Sequence, residues 1–519
     1  MTIHPLIGLV PLIPWLAAAW IGIGRISGRN VGEAGERKTG VVAQGAVALS
    51  LMLMLGLDGL ALAHGAPGQV ALFPWLESGA YRVMVSFTLD PLGLSMGTLV
   101  AFVALLVTRF SVTYMHREAG FQRFFAVLSL FSGAMLLIVT AGNAVLAFVG
   151  WELAGLASFL LIGYNWDRPT ATGNANRAFV TNRFGDAGFV TGIALSFLWL
   201  GGIEWPDILG GAHRLETLGA GLVAGGFLLA ALAKSAQLPF AAWLSRALEG
   251  PTPSSAVFYG SLMVHAGVYL LIRLEPLLAQ APALMVMLAV IGLATALYGV
   301  LVGLVQTDVK SALIFSVQAQ VGLMVLECGL GWFELAAWHM AAHTAWRVWQ
   351  FLNAPSYMHM AEGPARPVPA WLAERRFLYT AALQRFWLDA ASDALLTRPT
   401  EKLGGDVQRF DERVVDRAVG LPDSVGAVQS LAEWEERRRG ARPERDHGVS
   451  RGRGMPGRAL QWTATALQWF EERLVLQSGG EGLLRVLRHI GGHVVTLDRL
   501  ASQPRYLVLL IVLTFVVIL

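Results

Sequence analysis

Residues 226–244 read GFLLAALAKSAQLPFAAWL, a run apolar enough to lie inside a bilayer that nevertheless carries Lys234, with Pro239 five residues later. An ammonium at the bilayer centre costs about 2.5–3.5 kcal/mol on insertion scales. Such groups therefore face a wet or protein-lined interior and mark ion or proton paths. The proline frees backbone groups that only polar surroundings can satisfy. A helix carrying a cation just before a break is the first candidate for function.

Three further stretches put ionisable groups at the same depth. In FVGWELAGLASFLLIGY, Glu152 stands alone in an otherwise uncharged segment. A protonated carboxyl there can serve as a helix-packing hydrogen bond. A carboxylate facing Lys234 can instead favour the charged lysine while desolvation opposes it, which makes a bistable pair suited to a proton relay. TNRFGDAGF places Arg183 and Asp186 three apart on one helix face, where they are expected to stabilise a helix end. His265, deep in YGSLMVHAGVYLLIR, either accepts and donates protons near neutral pH or is a satisfied core histidine. ELAAWHMAAHTAWRVWQFL spaces His339, His343 and Arg347 by four, along one stripe of a helix. Paired histidines at that spacing suit zinc, but no general-base Glu follows the first and no third ligand is evident, so no metal is expected.

The elements that must position these groups follow from composition. The 519 residues are 55% hydrophobic and 14% charged with mean hydropathy +0.54, far from the roughly 25% charged content of soluble domains, so the chain is a polytopic membrane protein. A net charge of +3 gives no case for nucleic acid, and Cys328 alone excludes an internal disulfide or a cysteine-built cluster. Apolar windows near 6–24, 40–63, 91–113, 121–141, 143–163, 176–201, 217–244, 253–274, 281–304, 309–330 and 332–352 predict about eleven spanning helices. The first is expected to be a true helix, having no small-residue cleavage site behind it. Ten Lys and Arg residues lie in the connections after the odd-numbered windows, against Arg82, Arg214 and Arg273 in the others. The positive-inside rule then puts the N-terminus outside.

Residues 361–505 hold 41 of the 75 charged residues and are expected to form a cytoplasmic block. FLYTAALQRFWLDAASDALL and ALQWTATALQWFEERLVL within it are amphipathic helix candidates, suited to a membrane surface, a neighbouring subunit or an ordinary solvated lobe. YLVLLIVLTFVVIL, within 506–519, is expected to be a terminal anchor helix of about 21 Å.

WELAGLASFLLIGY, RAFVTNRFGDAGF, AKSAQLPFAAWLSRALEGPTPSSAV, HAGVYLLIR and TDVKSALIFSVQAQVGLM resemble, in order and spacing over residues 90–350 or so, the proton-conducting antiporter-like family. That family comprises complex I subunits of the NuoL type, multisubunit sodium/proton (Mrp) antiporters and the DabB subunit of inorganic-carbon transporters. The resemblance implies an all-α fold of 11–12 membrane helices with two inverted five-helix repeats. It also implies a broken seventh helix and a Glu152–Lys234 pair at the heart of a half-channel. It gives an organisation of N-terminal helices 1–115, a first repeat 116–275, a shortened second repeat 276–360, the cytoplasmic block 361–505 and the anchor 506–519. With the buried groups above, the expected relay comprises Glu152, Lys234, His265, His339, His343 and Arg347, supported by Arg183, Asp186, Tyr259 and Lys310, although His265 stands where complex I members commonly have a small polar residue.

The departures point further. Tyr259 replaces the family's usual histidine after the PTP turn, and Arg347 replaces a lysine, giving a fixed charge because arginine holds its proton too firmly to relay it. The second broken helix, with its exit lysine, is not recognisable, while FWLDAASDALLTRPTEKLGGDVQRFDERVVD resembles the family's lateral C-terminal segment. The shortened form is most similar to DabB. That resemblance implies a proton-conducting subunit, not catalytic alone, in a bacterial inner membrane. It would couple proton influx to bicarbonate accumulation by a peripheral DabA-like partner that carries the zinc, with no cofactor in this chain. A pump subunit of complex I or hydrogenase type, or an Mrp-type cation/proton antiporter, is the alternative.

Overall fold

The computed structural model describes residues 4–78, 81–360 and 367–410, together with 462 and 465. A 3-10 turn at His4–Gly8 leads into α1 (Leu9–Ile26) and α2 (Gly32–His64), followed by strands β1 (Gly68–Ser78) and β2 (Tyr81–Leu89). Four long helices come next: α3 (Pro91–Tyr114), α4 (Phe121–Thr140), α5 (Ala144–Ile162) and α6 (Pro169–Leu200). The short α7 (Trp205–Gly211) precedes α8 (Thr217–Lys234), after which the chain runs irregularly to α9 (Ala242–Arg246). Then follow α10 (Thr252–Ser255), a π-helical turn at Ala256–Ser261, α11 (His265–Arg273) and α12 (Glu275–Leu278). Long helices return with α13 (Pro282–Gly303), α14 (Val309–Gly329) and α15 (Phe333–Met360). Shorter pieces close the described chain: α16 (Ala370–Ala373), α17 (Arg376–Leu383), α18 (Leu388–Ser392) and α19 (Arg398–Phe410).

All eleven apolar windows are helical at least in part, and eight described helices are long and apolar enough to cross a membrane: α1 to α5, α8, α13 and α14. The count is lower than eleven for a physical reason. The other three windows are where the polar groups sit: α6 carries Arg177, Arg183 and Asp186, α15 carries His339, His343 and Arg347, and 253–274 is broken by the π-helical turn. The chain is a multi-pass, mostly helical membrane protein.

An antiparallel hairpin, β1 with β2, adds strands that the helical periodicity did not reveal. It pins the start of α5. Asn143 caps that helix by accepting from the Leu146 N–H at 2.7 Å. Its amide nitrogen donates to Met84 O at 2.8 Å in the hairpin and to Glu204 Oε1 at 3.0 Å. Glu204 Oε2 accepts from Ser86 Oγ at 2.6 Å and from Gln69 Nε2. Burial pushes the Glu204 carboxyl above its ordinary value.

Close helix contacts come from glycine. A Cβ on Gly188 of α6 would lie 2.6 Å from Gly226 O of α8, and one on Gly226 would lie 2.6 Å from Gly192 N, so only bare backbone permits this approach. Gly292 and Gly299 of α13 meet the α14 backbone in the same way, the first against Leu326 N at 2.4 Å. Without a hydrophobic drive between helices in lipid, such small-residue faces supply the packing.

The segment after α15 forms no single amphipathic helix. Arg385, Phe386 and Trp387 all take left-handed backbone at φ of 52°, 53° and 55°, a conformation costing roughly 1–2 kcal/mol per residue. Tertiary contacts hold them there. Arg177 forks onto Asp393 at 2.6 and 2.7 Å, Arg246 reaches Asp389 at 2.5 Å, and Phe386 packs 5.9 Å from the Tyr298 ring. This stretch therefore seats on the chain's own helices. From Pro399 onward α19 belongs to a separate compact unit, with Leu403, Val407 and Phe410 as an exposed apolar stripe. Of the second amphipathic candidate only residues 462 and 465 are described, both helical, and the anchor 506–519 lies outside the described residues.

Asp90 caps α3 through the Gly93 N–H at 2.7 Å and receives Arg273 of α11 at 2.5 and 3.0 Å. Burial opposes ionisation of Asp90, but Arg273 and the cap outweigh it and hold the carboxyl below its ordinary value. The pair's stabilisation is thus present above the unfolded carboxyl's range and lost as pH falls through the folded value. Asp90→Asn leaves the Arg273 guanidinium buried without a counter-charge and should cost on the order of 3 kcal/mol. Thermal unfolding of the detergent-solubilised variant should show a lower midpoint at neutral pH, with the gap closing in acid.

Candidate functional site: a buried file of ionisable groups

Lys234 is the last residue of α8 and is 1% exposed. Its ammonium donates to Trp151 O at 3.2 Å and lies 4.9 Å from the Trp151 ring centroid, a cation–π contact. The helix stops there, and residues 235–241 run irregularly, with Ala236 at φ +50°. Several of the freed backbone groups are met by side chains of neighbouring helices. Gln318 of α14 donates to Ala236 O at 2.9 Å and Ala241 O at 3.1 Å. Thr295 Oγ1 of α13 accepts from the Leu238 N–H at 3.0 Å, and Trp243 Nε1 donates to Ala233 O at 3.0 Å. The expected break after Lys234 is present, and its polar lining comes from α13 and α14.

Beside Lys234 lies a second cation. Arg183 Nη1 bonds to Glu152 Oε2, and its Nη2 lies 2.8 Å from Asp186 Oδ2. The sequence reading assigned Arg183 and Asp186 to a helix end. They sit instead in the middle of α6, because that helix begins at Pro169 and runs for 32 residues. Nor is Glu152 without a local partner: Arg183 takes it, and the charges acting on Lys234 are Asp186, Arg183 and Glu152 together. Gly155, three residues after Glu152, leaves the space, since a Cβ there would lie 3.0 Å from Arg183 Nη2 and 3.6 Å from Lys234 Nζ. Glu152 Oε1, Asp186 Oδ1 and Arg183 Nε are buried without hydrogen-bond partners, polar atoms of the kind internal water satisfies.

The histidines form a second group. Arg347 Nε donates to His343 Nε2 at 3.0 Å, so His343 must carry its hydrogen on Nδ1. Nδ1 then donates to His265 Nε2 at 3.0 Å, and His265 Nδ1 donates to Ser261 O at 2.6 Å, at the end of the π-helical turn. Donation therefore runs one way along Arg347, His343, His265 and Ser261. Arg347 is held in turn by Ser316 Oγ at 2.5 Å and Gln350 Oε1 at 2.7 Å. The backbone joins the two groups, for Ser235 Oγ donates to Val264 O at 2.6 Å, next to His265.

His339 is not bonded to His343. It meets Glu327 Oε1 at 2.9 Å and Gln320 Oε1 at 2.9 Å. Lys310 lies at the start of α14, away from both groups, donating to Thr252 Oγ1 at 2.7 Å, and Tyr259 lies in the π-helical turn. Among the described residues no three His, Cys, Asp or Glu side chains are grouped to hold a metal ion. Sequence reasoning missed Glu327, a lone carboxylate in the apolar run LMVLECGLG. It also missed Gln318 and Thr295, which carry no signal until the break they serve is seen.

These features define a class: a multi-pass membrane protein with ionisable side chains in its interior, one of them a lysine where a membrane helix breaks. Residues 141–367 match the family described as NADH:quinone oxidoreductase/Mrp antiporter, TM, and residues 75–125 that described as NADH-ubiquinone oxidoreductase (complex I), chain 5 N-terminus, together more than half of the chain. The chain belongs to this antiporter-like family. It is 39% identical over 324 residues to NADH-quinone oxidoreductase subunit L of Mycobacterium tuberculosis, covering 62% of this chain and 50% of that one. It is 36% identical over 366 residues to the chloroplastic NAD(P)H-quinone oxidoreductase subunit 5 of Nephroselmis olivacea, covering 69% and 56%. The chain thus spans about half the length of the curated relatives it matches. The fold is also that of the Mrp complex from Dietzia sp. (TM-score 0.57, 22% identity, 98% of this chain and 62% of that one). An archaeal membrane-bound sulfane sulfur reductase shares it too (TM-score 0.60, 16% identity, 75% and 82%).

Gln318→Leu removes both donors to the broken segment while keeping a similar volume. Two buried carbonyls left unpaired should cost on the order of 1–3 kcal/mol each, read as a lowered unfolding midpoint. An unchanged midpoint would show that the break is satisfied in some other way.

Proposed function

We propose that the chain is a proton-conducting subunit of a multi-subunit membrane complex of the complex I or Mrp antiporter type. One observation carries the reading: a fully buried ammonium at the end of a broken helix, with Arg183, Glu152 and Asp186 beside it. Two carboxylates compete for two cations. While Arg183 holds Glu152 and Asp186, the direct contacts of the Lys234 ammonium are a carbonyl and a ring face. Swinging Arg183 off either carboxylate releases a partner for Lys234 and favours its charged form, and the reverse swing drives the proton off. The proton leaving Lys234 then has the histidine group of α11 and α15 on the next segment.

Lys234→Ala should abolish proton flux in vesicles loaded with a pH-sensitive dye while membrane insertion is kept, because removing an internal charge lowers the insertion cost. Lys234→Arg should fail as well, since arginine keeps the charge and does not release the proton. Full flux in the arginine variant would remove Lys234 from the relay.

A second reading rests on the second half. The family match ends at residue 367, and no described helix after α14 meets the length and hydropathy of a membrane span. We infer from this an outlet completed by another subunit, the arrangement expected of an inorganic-carbon transporter with a peripheral zinc-bearing partner of DabA type in a bacterial inner membrane. The subunits recovered with the affinity-tagged chain separate the readings. A single soluble zinc protein that hydrates carbon dioxide supports the second, and a set of redox or antiporter subunits supports the first. In the carbon-transport case uptake should collapse with an uncoupler and persist without sodium.

A further inference from the structure

We propose that Glu327 and His339 form a proton-binding site at the open end of the histidine group, holding a proton between the membrane surface and the buried His343–His265 pair. The assignment rests on the proton-conducting role above. Glu327 lies in the last turn of α14 and His339 in the second turn of α15, and the two helices are joined by a tight turn through Gly331 at φ +82°. The site is therefore within about two turns of the helix ends. His339 and Glu327 side chains are 20% and 15% exposed, whereas His265 and His343 are 1% and 6% exposed.

The hydrogen bonds define two states of this site. His339 Nδ1 lies 2.9 and 3.2 Å from the two Glu327 oxygens, and its Nε2 lies 2.9 Å from Gln320 Oε1. Both ring nitrogens face acceptors, and only the imidazolium donates from both. Turning the Gln320 amide over presents its NH2 to Nε2 instead, which suits the neutral ring with a hydrogen on Nδ1. One amide flip thus accommodates the gain or loss of one proton on the ring.

Transfer inward is gated by commitments on both sides. The His339 and His343 rings are 6.2 Å apart between centroids and nearly perpendicular, and His343 has both nitrogens engaged, by Arg347 and His265. A proton leaves His339 Nε2 and joins His343 Nε2 once Arg347 has let that nitrogen go, through a single water or a ring rotation. His339 is then reloaded from solvent beside Glu327. The other ionisable groups around the site are Arg347 and His343 on α15, His265 on α11, Cys328 on α14 and Glu275 at the start of α12, which acts on Cys328; α13 carries no charged residue.

The test is proton flux through the reconstituted full-length chain in its native complex, measured against pH for wild type, Glu327→Gln, Glu327→Asp and Gln320→Glu. Without the carboxylate, His339 Nδ1 loses its charged acceptor. Glu327→Gln should lower flux about tenfold at neutral pH, or ~1.4 kcal/mol, and move the profile to lower pH. Glu327→Asp should restore most of it. Gln320→Glu adds a second acceptor and should move the profile to higher pH, so it gives an independent answer if Glu327→Gln does not assemble. Profiles that keep their shape in both variants, with flux scaled equally at all pH values, overturn the site and leave the Lys234 relay standing. Absence of flux in the wild-type complex overturns both.

Discussion

The rest of the structure is arranged around one constraint: an ammonium with no access to bulk water must be kept company by protein. Lys234 is met by a carbonyl, an aromatic face and the charges of three neighbouring side chains. Each of these is only a partial replacement for hydration. A fully matched carboxylate would trap the proton, and an apolar pocket would expel it. On the proposed conducting role, surroundings of this intermediate kind suit a group that must both load and release a proton.

Bringing those neighbours together requires α5, α6 and α8 to approach more closely than ordinary side chains allow. Gly188, Gly192 and Gly226 remove the side chains between α6 and α8, and Gly155 removes the one that would stand between Arg183 and Lys234. The same economy has a consequence at the break. Once α8 ends at Lys234, its carbonyls need donors from elsewhere, so Gln318 and Thr295 tie α14 and α13 to the irregular segment. A shift of the broken segment is therefore felt by both halves of the membrane part.

Much of this was legible in the sequence because charge in an apolar run is conspicuous. Lys234, Glu152, His265, His343 and Arg347 all stand out, and the proline after Lys234 announces the break. What stayed hidden has identifiable causes. Arg183 reads as a helix-end residue because the apolar window begins late, and only the full length of α6 from Pro169 reveals it as central. Glycine, threonine and glutamine at the contact points are common in membrane helices and carry no signal individually. The strands of the hairpin pair with register shifts, so simple alternation does not mark them. The left-handed turn at Arg385–Trp387 contradicts local propensity outright, and only its tertiary contacts hold it.

The two groups of ionisable residues differ in what limits them. Around Lys234 one guanidinium, Arg183, contacts two carboxylates, Glu152 and Asp186. In the histidine group the guanidinium of Arg347 is instead held at three points, by His343, Ser316 and Gln350. A cation that is always charged and so fastened can donate to His343 but cannot take a proton from it. It therefore fixes one direction of donation through both buried histidines, and on the proposed conducting role a proton passing along them must first displace it. The first guanidinium thus faces two carboxylates, while the second is fastened by three neutral partners. The Ser316 and Gln350 contacts that hold Arg347 lie on α14 and α15, the helices that also carry Gln318 and His339, so the broken segment and the histidine group share the same two supports.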